Sequence, residues 1–284
     1  MMIELSREHI QRIMPKRTPI SHKGDYGKVL IIGGSIGMTG SVCLSSEAAL
    51  RSGCGLVKIA TTKDACNIIS SRFAETMTLP NSMDENAIDV LLSASGEADV
   101  VLLGPGLGRG SEKLTLVREL TKKIECPMII DADGLFALSQ LASFERKGET
   151  ILTPHTMEMS RLMGVSCKEI EEYREKIAIE AAQKYNSTVV LKGHNSVIAS
   201  TNGDCYINPT GNSGMATAGS GDVLAGIISG IVAQTKNCLS STLAGVYLHG
   251  YSGDIAAENL TEYSVIASDL IKYLPPAIKQ ILAI

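Results

Sequence analysis

The sequence predicts a three-layer α/β fold, a mostly parallel central sheet with helices on both faces. Three observations predict it. Short apolar runs recur along the chain, each followed by a stretch in which apolar residues take helical spacing. Most of these runs are apolar throughout instead of alternating, as strands covered on both faces must be. The composition, 44% apolar and 20% charged over 284 residues, supplies enough for a large buried core. No linker or shift in composition marks a second unit, so residues 1–284 read as one domain.

In chain order, residues 1–17 read as a short helix ending at Pro15, and 18–27 (TPISHKGDYG) as a polar loop. Residues 28–33 (KVLIIG) form the first buried strand, 41–52 a helix, 56–61 a strand and 63–72 a helix. Residues 99–104 (DVVLLG) are the clearest strand; they feed GPGLGRG and a helix over 111–123. Strands at 127–131, 150–153 and 188–192 continue the rhythm, with helices near 134–142, 156–163 and 168–185 between them. Two short alternating runs at 196–200 and 205–208, joined by Thr-Asn-Gly-Asp, read as a β-hairpin. Helices over 221–235, 239–258 and 264–282 follow, the last interrupted at Pro275-Pro276.

In open parallel sheets ligands bind beyond the carboxyl ends of the strands. Here those ends carry Gly33-Gly34-Ser35, Gly104-Pro105-Gly106, Asp131-Ala132-Asp133, Thr153-Pro154-His155 and Lys192-Gly193. The densest glycine run is 208–221 (NPTGNSGMATAGSG), and after Gly221 the chain turns abruptly into an apolar helix with Asp222 in its first turn. Small residues before a helix N-terminus bring free amides and the positive end of the helix dipole to one place, an anion site. Asp222 as a simple cap is the plainer reading, but a cap needs no glycine run before it.

Other readings are weaker. GPGLG lacks the G-x-G-x-x-G spacing in every register, and no G-x-x-x-x-G-K-[ST] exists. His155 and Glu158 could ligate a metal, but a pair three apart without a third ligand is more often a cap or a substrate contact; the metal ligands stay unassigned. Asp131 and Asp133 could begin a helix; Lys192, at a buried strand end, needs an anionic partner. His9 and His249 have no such context and read as structural or surface residues. The seven cysteines are scattered without C-x-x-C spacing and read as small hydrophobes. Net charge is −4 with no basic cluster, which disfavours nucleic acid; nothing approaches a membrane span or a signal peptide, so a soluble cytoplasmic protein is expected.

Six motifs in order, HKGDYGKVLIIGGS, LLGPGLG, DADGL, LTPHTMEMSRLMG, VVLKGHNSVI and NPTGNSGMATAGSGDVLAG, resemble the ADP- or ATP-dependent NAD(P)H-hydrate dehydratases of the ribokinase-like superfamily. The resemblance implies ADP-driven removal of water from C6-hydrated NADH or NADPH, yielding AMP and phosphate, with Mg²⁺ neutralising the nucleotide. It implies that Lys192, Gly193, His194, Asn195, Ser196 and Gly221 hold the nucleotide, that Ser41, Gly106, His155 and Asp222 contact the hydrated dinucleotide, and that the enzyme is a homotetramer. Gly219, Ser220 and Gly221 supply the phosphate cradle and Asp222 accepts the hydroxyl proton. The same reading puts His155 on the dinucleotide side of the cleft, away from Lys192. Two positions depart from the family pattern: Ser41 stands where Ala is usual, and Thr156-Met157 where Pro-Gly is usual. Related enzymes often carry an epimerase domain fused N-terminally, for which 284 residues leave no room. A small-alcohol kinase would share the Gly-Ser-Gly-Asp site but keep its phosphorylated product, and a nucleotide sensor would not need Asp222 intact.

Overall fold

The structure, a computed structural model, describes residues 2–284. The first half comprises β1 (Met2–Glu4), α1 (Arg7–Ile13), β2 (Lys28–Ile32), α2 (Thr39–Arg51), β3 (Leu56–Thr62), α3 (Lys63–Arg72), β4 (Met77–Asn81), α4 (Ile88–Ser95), β5 (Val100–Leu103), α5 (Ser111–Lys123), β6 (Met128–Ile130) and α6 (Asp133–Leu138). The second comprises β7 (Thr150–Leu152), α7 (Thr156–Met163), α8 (Cys167–Glu172), α9 (Arg174–Lys184), β8 (Thr188–Leu191), β9 (Val197–Ala199), β10 (Cys205–Ile207), α10 (Ser220–Thr235), α11 (Cys238–Leu260) and α12 (Ala267–Leu282).

The strands form one ten-stranded sheet in the order β1-β10-β9-β8-β7-β6-β5-β2-β3-β4, and only β9 runs antiparallel to its neighbours. Alternate strand residues feed two cores. Val29, Ile31, Val100, Leu102 and Val190 pack beneath α2, α10, α11 and α12; Leu30, Ile32, Val101, Leu103 and Val189 pack beneath α4, α5, α7 and α9. This is the expected three-layer arrangement, and it aligns the carboxyl ends of β8, β7, β6, β5 and β2 along one rim. Among the described residues no helix is long and apolar enough to cross a membrane. Five of the seven cysteines are buried, and none forms a disulfide.

Three readings need correction, and β4 and α4 are elements the sequence did not announce. Residues 1–17 hold an edge strand before their helix, because Met2–Glu4 pair in register with β10. β4 and α4 carry no strong periodic signal, and Pro80 within MTLPN argues against a central strand; β4 is an edge strand, bonded only to β3, where a missing N–H costs no ladder bond. The stretch 168–185 is two helices broken at Tyr173 (φ −127, ψ 43). Conversely, α12 continues through Pro275-Pro276. The prolines deprive two carbonyls of their donors, but the buried face of Leu270, Ile271, Leu274, Ala277 and Ile281 carries the helix past them.

Candidate active site

At the rim, β8 delivers Lys192 between the ends of β7 and the start of α10. Its backbone N–H donates to the Pro154 carbonyl (2.9 Å), and its Nζ lies 2.9 Å from Asp131 Oδ1 and 3.8 Å from Glu158 Oε2. The Thr153 hydroxyl donates to the same Asp131 oxygen at 2.7 Å. Burial works against the ammonium, yet Asp131 and then Glu158 outweigh it, and the Lys192 pKa is raised. The anionic partner demanded by the sequence is therefore Asp131, while Asp133 opens α6, its carboxylate accepting from Gly108 N–H (2.9 Å) and Arg109 Nε (2.7 Å).

His155 is an N-cap. Its Nδ1 accepts from the amides of Met157 (3.1 Å) and Glu158 (3.3 Å), and its own N–H donates to Glu158 Oε2 (2.9 Å), a reciprocal capping box. With Nδ1 accepting, the ring proton belongs on Nε2, 3.5 Å from Glu158 Oε1. Burial, then the Lys192 charge, lowers the imidazole pKa, whereas burial raises that of Glu158. The bonds this pair makes are those of the helix cap, and among the described residues no three His, Cys, Asp or Glu side chains cluster as a metal site.

The glycine run ends as expected. Gly219 takes φ +89, where a side chain would be strained and would meet Leu44 at 2.5 Å. From there α10 begins, and the N–H groups of Gly219, Gly221 and Asp222 have no acceptor among the described residues. The helix start is fixed from two sides. Ser45 Oγ donates to the Asp222 carbonyl (3.0 Å), and His249 Nε2 meets the Ser220 carbonyl at 2.9 Å; a carbonyl only accepts, so Nε2 carries the proton. Burial drives the His249 pKa down to about 4, keeping the ring neutral. A Cβ on Gly221 would lie 3.2 Å from Lys192 Nζ, so the ammonium sits over the first turn. Asp222, inside that turn, has its pKa raised to about 6 by burial and then by Asp131, against a lowering hydrogen bond from Ser41 and the charge of Lys192. Gly226 and Gly230 serve a different purpose, letting α10 approach α2 where a Cβ would meet the carbonyls of Ser45 and Ala49.

A cleft of about 1200 Å³ opens beside these groups, lined by Lys192, Gly193, His194, Asn195 and Ser196, by Ser220 and Gly221, and by His155; Gly219 and Asp222 are not among its lining residues. His155 thus shares one wall with Lys192, and the expected division of the cleft into separate His155 and Lys192 sides is not found; Glu158, bonded to both, is the physical reason. Ser41 and Gly106 do not line this cleft. Gly106 belongs to a loop zipped to the end of β2, its carbonyl accepting from Ser35 N–H (2.7 Å) and Oγ (2.9 Å), while Ser41 reaches the site through Asp222. His249, read from sequence as having no context, lines the cleft; a lone histidine inside an apolar helix carries no signal of what it faces.

The family model described as NAD(P)H-hydrate dehydratase matches residues 29–276. The chain is 41% identical over 279 residues to the bifunctional NAD(P)H-hydrate repair enzyme Nnr of Moorella thermoacetica, covering 94% of this chain and 52% of that one. It therefore spans about half the length of the bifunctional relatives it matches. It is 33% identical to the ADP-dependent (S)-NAD(P)H-hydrate dehydratase of Bacillus subtilis, over 95% of each chain. The crystal structure of the Bacillus subtilis ADP/ATP-dependent NAD(P)H-hydrate dehydratase co-crystallized with ATP/Mg²⁺ superposes with a TM-score of 0.89 at 30% identity over 99% of both chains. The fold is ribokinase-like, and with the family match over most of its length the chain belongs to the NAD(P)H-hydrate dehydratase family.

Proposed function

We propose that the protein is an ADP-dependent (S)-NAD(P)H-hydrate dehydratase, a lyase that returns C6-hydrated NADH or NADPH to NAD(P)H with release of AMP and phosphate. The observation that carries this reading is the start of α10, where free amides, the Lys192 ammonium and a carboxyl whose pKa is raised to about 6 share one helical turn beside a cleft lined by Lys192, Ser220 and Gly221. In this reading the Gly219–Asp222 amides and Lys192 hold the transferring phosphoryl group, and residues 192–196 hold the rest of the nucleotide. The family resemblance assigns Ser41, Gly106 and His155 to the dinucleotide, and of the three His155 lines the cleft. The 6-hydroxyl gives its proton to Asp222 as its oxygen bonds to the β-phosphorus of ADP and the bridging P–O bond breaks, freeing AMP. The ring nitrogen lone pair then breaks the C6–O bond, phosphate leaves, and loss of a proton from C5 restores the double bond. Magnesium, when bound, neutralises the nucleotide phosphates. With no cluster of three candidate ligands among the described residues, it would be held chiefly by phosphate oxygens and water. The same reading, through the family resemblance, includes a cytoplasmic homotetramer built from single-domain chains.

The test mixes purified protein with hydrated NADH, Mg²⁺ and either ADP or ATP, following the NADH absorbance and inorganic phosphate together. Both should rise in step. A stable phosphorylated organic product, with hydrated NADH inert, would identify an alcohol kinase instead.

Two further results are expected. Because Asp222 must be ionised to accept the proton, kcat/KM should fall about tenfold per pH unit below about pH 6 and level off above it. A profile flat from pH 5 to 7 removes the carboxyl from that role. Gly221→Val fills the space over the first turn and displaces the Lys192 ammonium; a lost charge-assisted contact weakens ADP by about tenfold or more in titration calorimetry. Unchanged affinity would count against the amide cradle.

A further inference from the structure

The turn after β8 is poorly supported from within. Gly193 (φ +152) and Asn195 (φ +53) take left-handed backbone conformations, and its internal side-chain bonds are those of Ser196 Oγ with the Gly193 N–H (3.3 Å) and carbonyl (3.0 Å). Support comes from the helix pair that sequence reads as continuous. The break at Tyr173 places Arg174, the first residue of α9, against the turn: Nη2 donates to the carbonyls of Leu191 (3.0 Å) and Lys192 (3.2 Å), and Nη1 to Glu171 Oε2 (3.0 Å). The guanidinium lies so close that a Cβ on Gly193 would stand 2.8 Å from Nη2. The other Glu171 oxygen accepts from the hydroxyl of Thr156, the first residue of α7 and the neighbour of His155. That bond and the Arg174 charge hold the Glu171 carboxyl below its ordinary pKa.

We propose that Thr156, Glu171 and Arg174 are positioning residues for the nucleotide, a three-member relay that ties the 192–196 turn to the His155 turn. The proposal rests on the reading of residues 192–196 as the nucleotide site. Only a planar guanidinium serves two carbonyls and a carboxylate at once; a lysine in its place would lose that fork. The Glu171–Arg174 pair itself stabilises little, since Glu171 is 55% exposed. Its contribution is orientation: the carboxylate holds the guanidinium where the two carbonyls can use it. Thr156 is where the relay begins, through a hydroxyl that a proline at the same helix-start position would lack.

The experiment measures ADP affinity by titration calorimetry and Tm by thermal melting, on the full chain carrying Arg174→Gln, Glu171→Ala, Thr156→Val or Thr156→Ser. Arg174→Gln should weaken ADP about tenfold, and Thr156→Val and Glu171→Ala about threefold. KM for ADP should rise in parallel while kcat at saturating ADP holds. Thr156→Ser, which keeps the hydroxyl, should behave as wild type, and the double variant Thr156→Val/Arg174→Gln should lose no more than Arg174→Gln alone. A fall in Tm with unchanged ADP affinity in Arg174→Gln would overturn the proposal and leave Arg174 a fold residue. Wild-type affinity in Thr156→Val would overturn the link to the His155 turn. Should Arg174→Gln fail to fold, Thr156→Val and Glu171→Ala decide by the same measure. A wild-type protein that does not bind ADP would instead remove the nucleotide reading on which all of this rests.

Discussion

Asp222→Asn should all but abolish NADH recovery, lowering kcat by about 10²- to 10⁴-fold, with ADP affinity close to wild type. The substitution keeps the side-chain shape and the free amides of Gly219, Gly221 and position 222, so the anion site survives. What it removes is the one group in the first turn of α10 able to take a proton. Stability should move the other way. Folding raises the Asp222 pKa from 3.8 to about 6, so the folded protein prefers the carboxyl protonated. Above about pH 6 the buried charge therefore costs stability, on the order of 2–3 kcal/mol, and the cost fades as pH falls toward 4. Asn carries no such cost, and the variant should melt higher than wild type at pH 8, with the gap closing in acid. A variant that turns over normally would take Asp222 out of the chemistry; one that melts lower at every pH would contradict the origin of the shift.

The parts of this molecule legible in the sequence are those with a local cause. Continuous apolar runs mark β2, β5, β6, β7 and β8 because both faces of those strands are covered, and the limits of α3 and α5 read directly from periodicity. The start of α10 with its free amides was legible because a glycine run passes abruptly into an apolar helix at Gly221. The edge strands β1 and β4 were not, since three to five residues bonded on one side leave no pattern to distinguish them from loop. The break at Tyr173 was equally hidden: the apolar positions on either side keep helical spacing, and what sets the break apart is the contact of Arg174 with a turn some 17 residues away. In the site, Lys192 announced its need for an anion but not its choice. Asp131 and Asp133 are two residues apart at the same strand end, and only the fold sends one to Lys192 and the other to Arg109. His155 shows the opposite limit, for the cap it forms with Glu158 was readable from the spacing, whereas the position of both beside Lys192 depends on β7 and β8 being neighbours.

Lys192→Met should damage stability and function together, and a second substitution should separate them. Asp131 retains only 2% of its side-chain exposure and Glu158 8%, and Lys192 is the cation both share. Removing it strands buried negative charge, which costs about 3–5 kcal/mol. At roughly 2–4 °C per kcal/mol for a chain of this size, Tm should fall by about 10 °C. ADP binding should be lost as well, because the ammonium over Gly221 has no substitute. Adding Asp131→Leu removes the stranded carboxylate, and the double variant should recover most of the lost Tm, as buried ion pairs replaced by apolar residues commonly do. It should recover no ADP binding. The pH dependence distinguishes this pair from Asp222. The Lys192 pKa is raised by folding, so its contribution is present in full below its ordinary value of 10.5 and is lost only as pH climbs through the folded value. Between about pH 6 and pH 9 the Tm deficit of Lys192→Met should therefore be constant, whereas the Asp222→Asn gain should change below that range, as pH falls from about 6 toward 4. A deficit that shrinks toward neutral pH, or a double variant that binds ADP, would dismiss the ion pair as the shared support of fold and site.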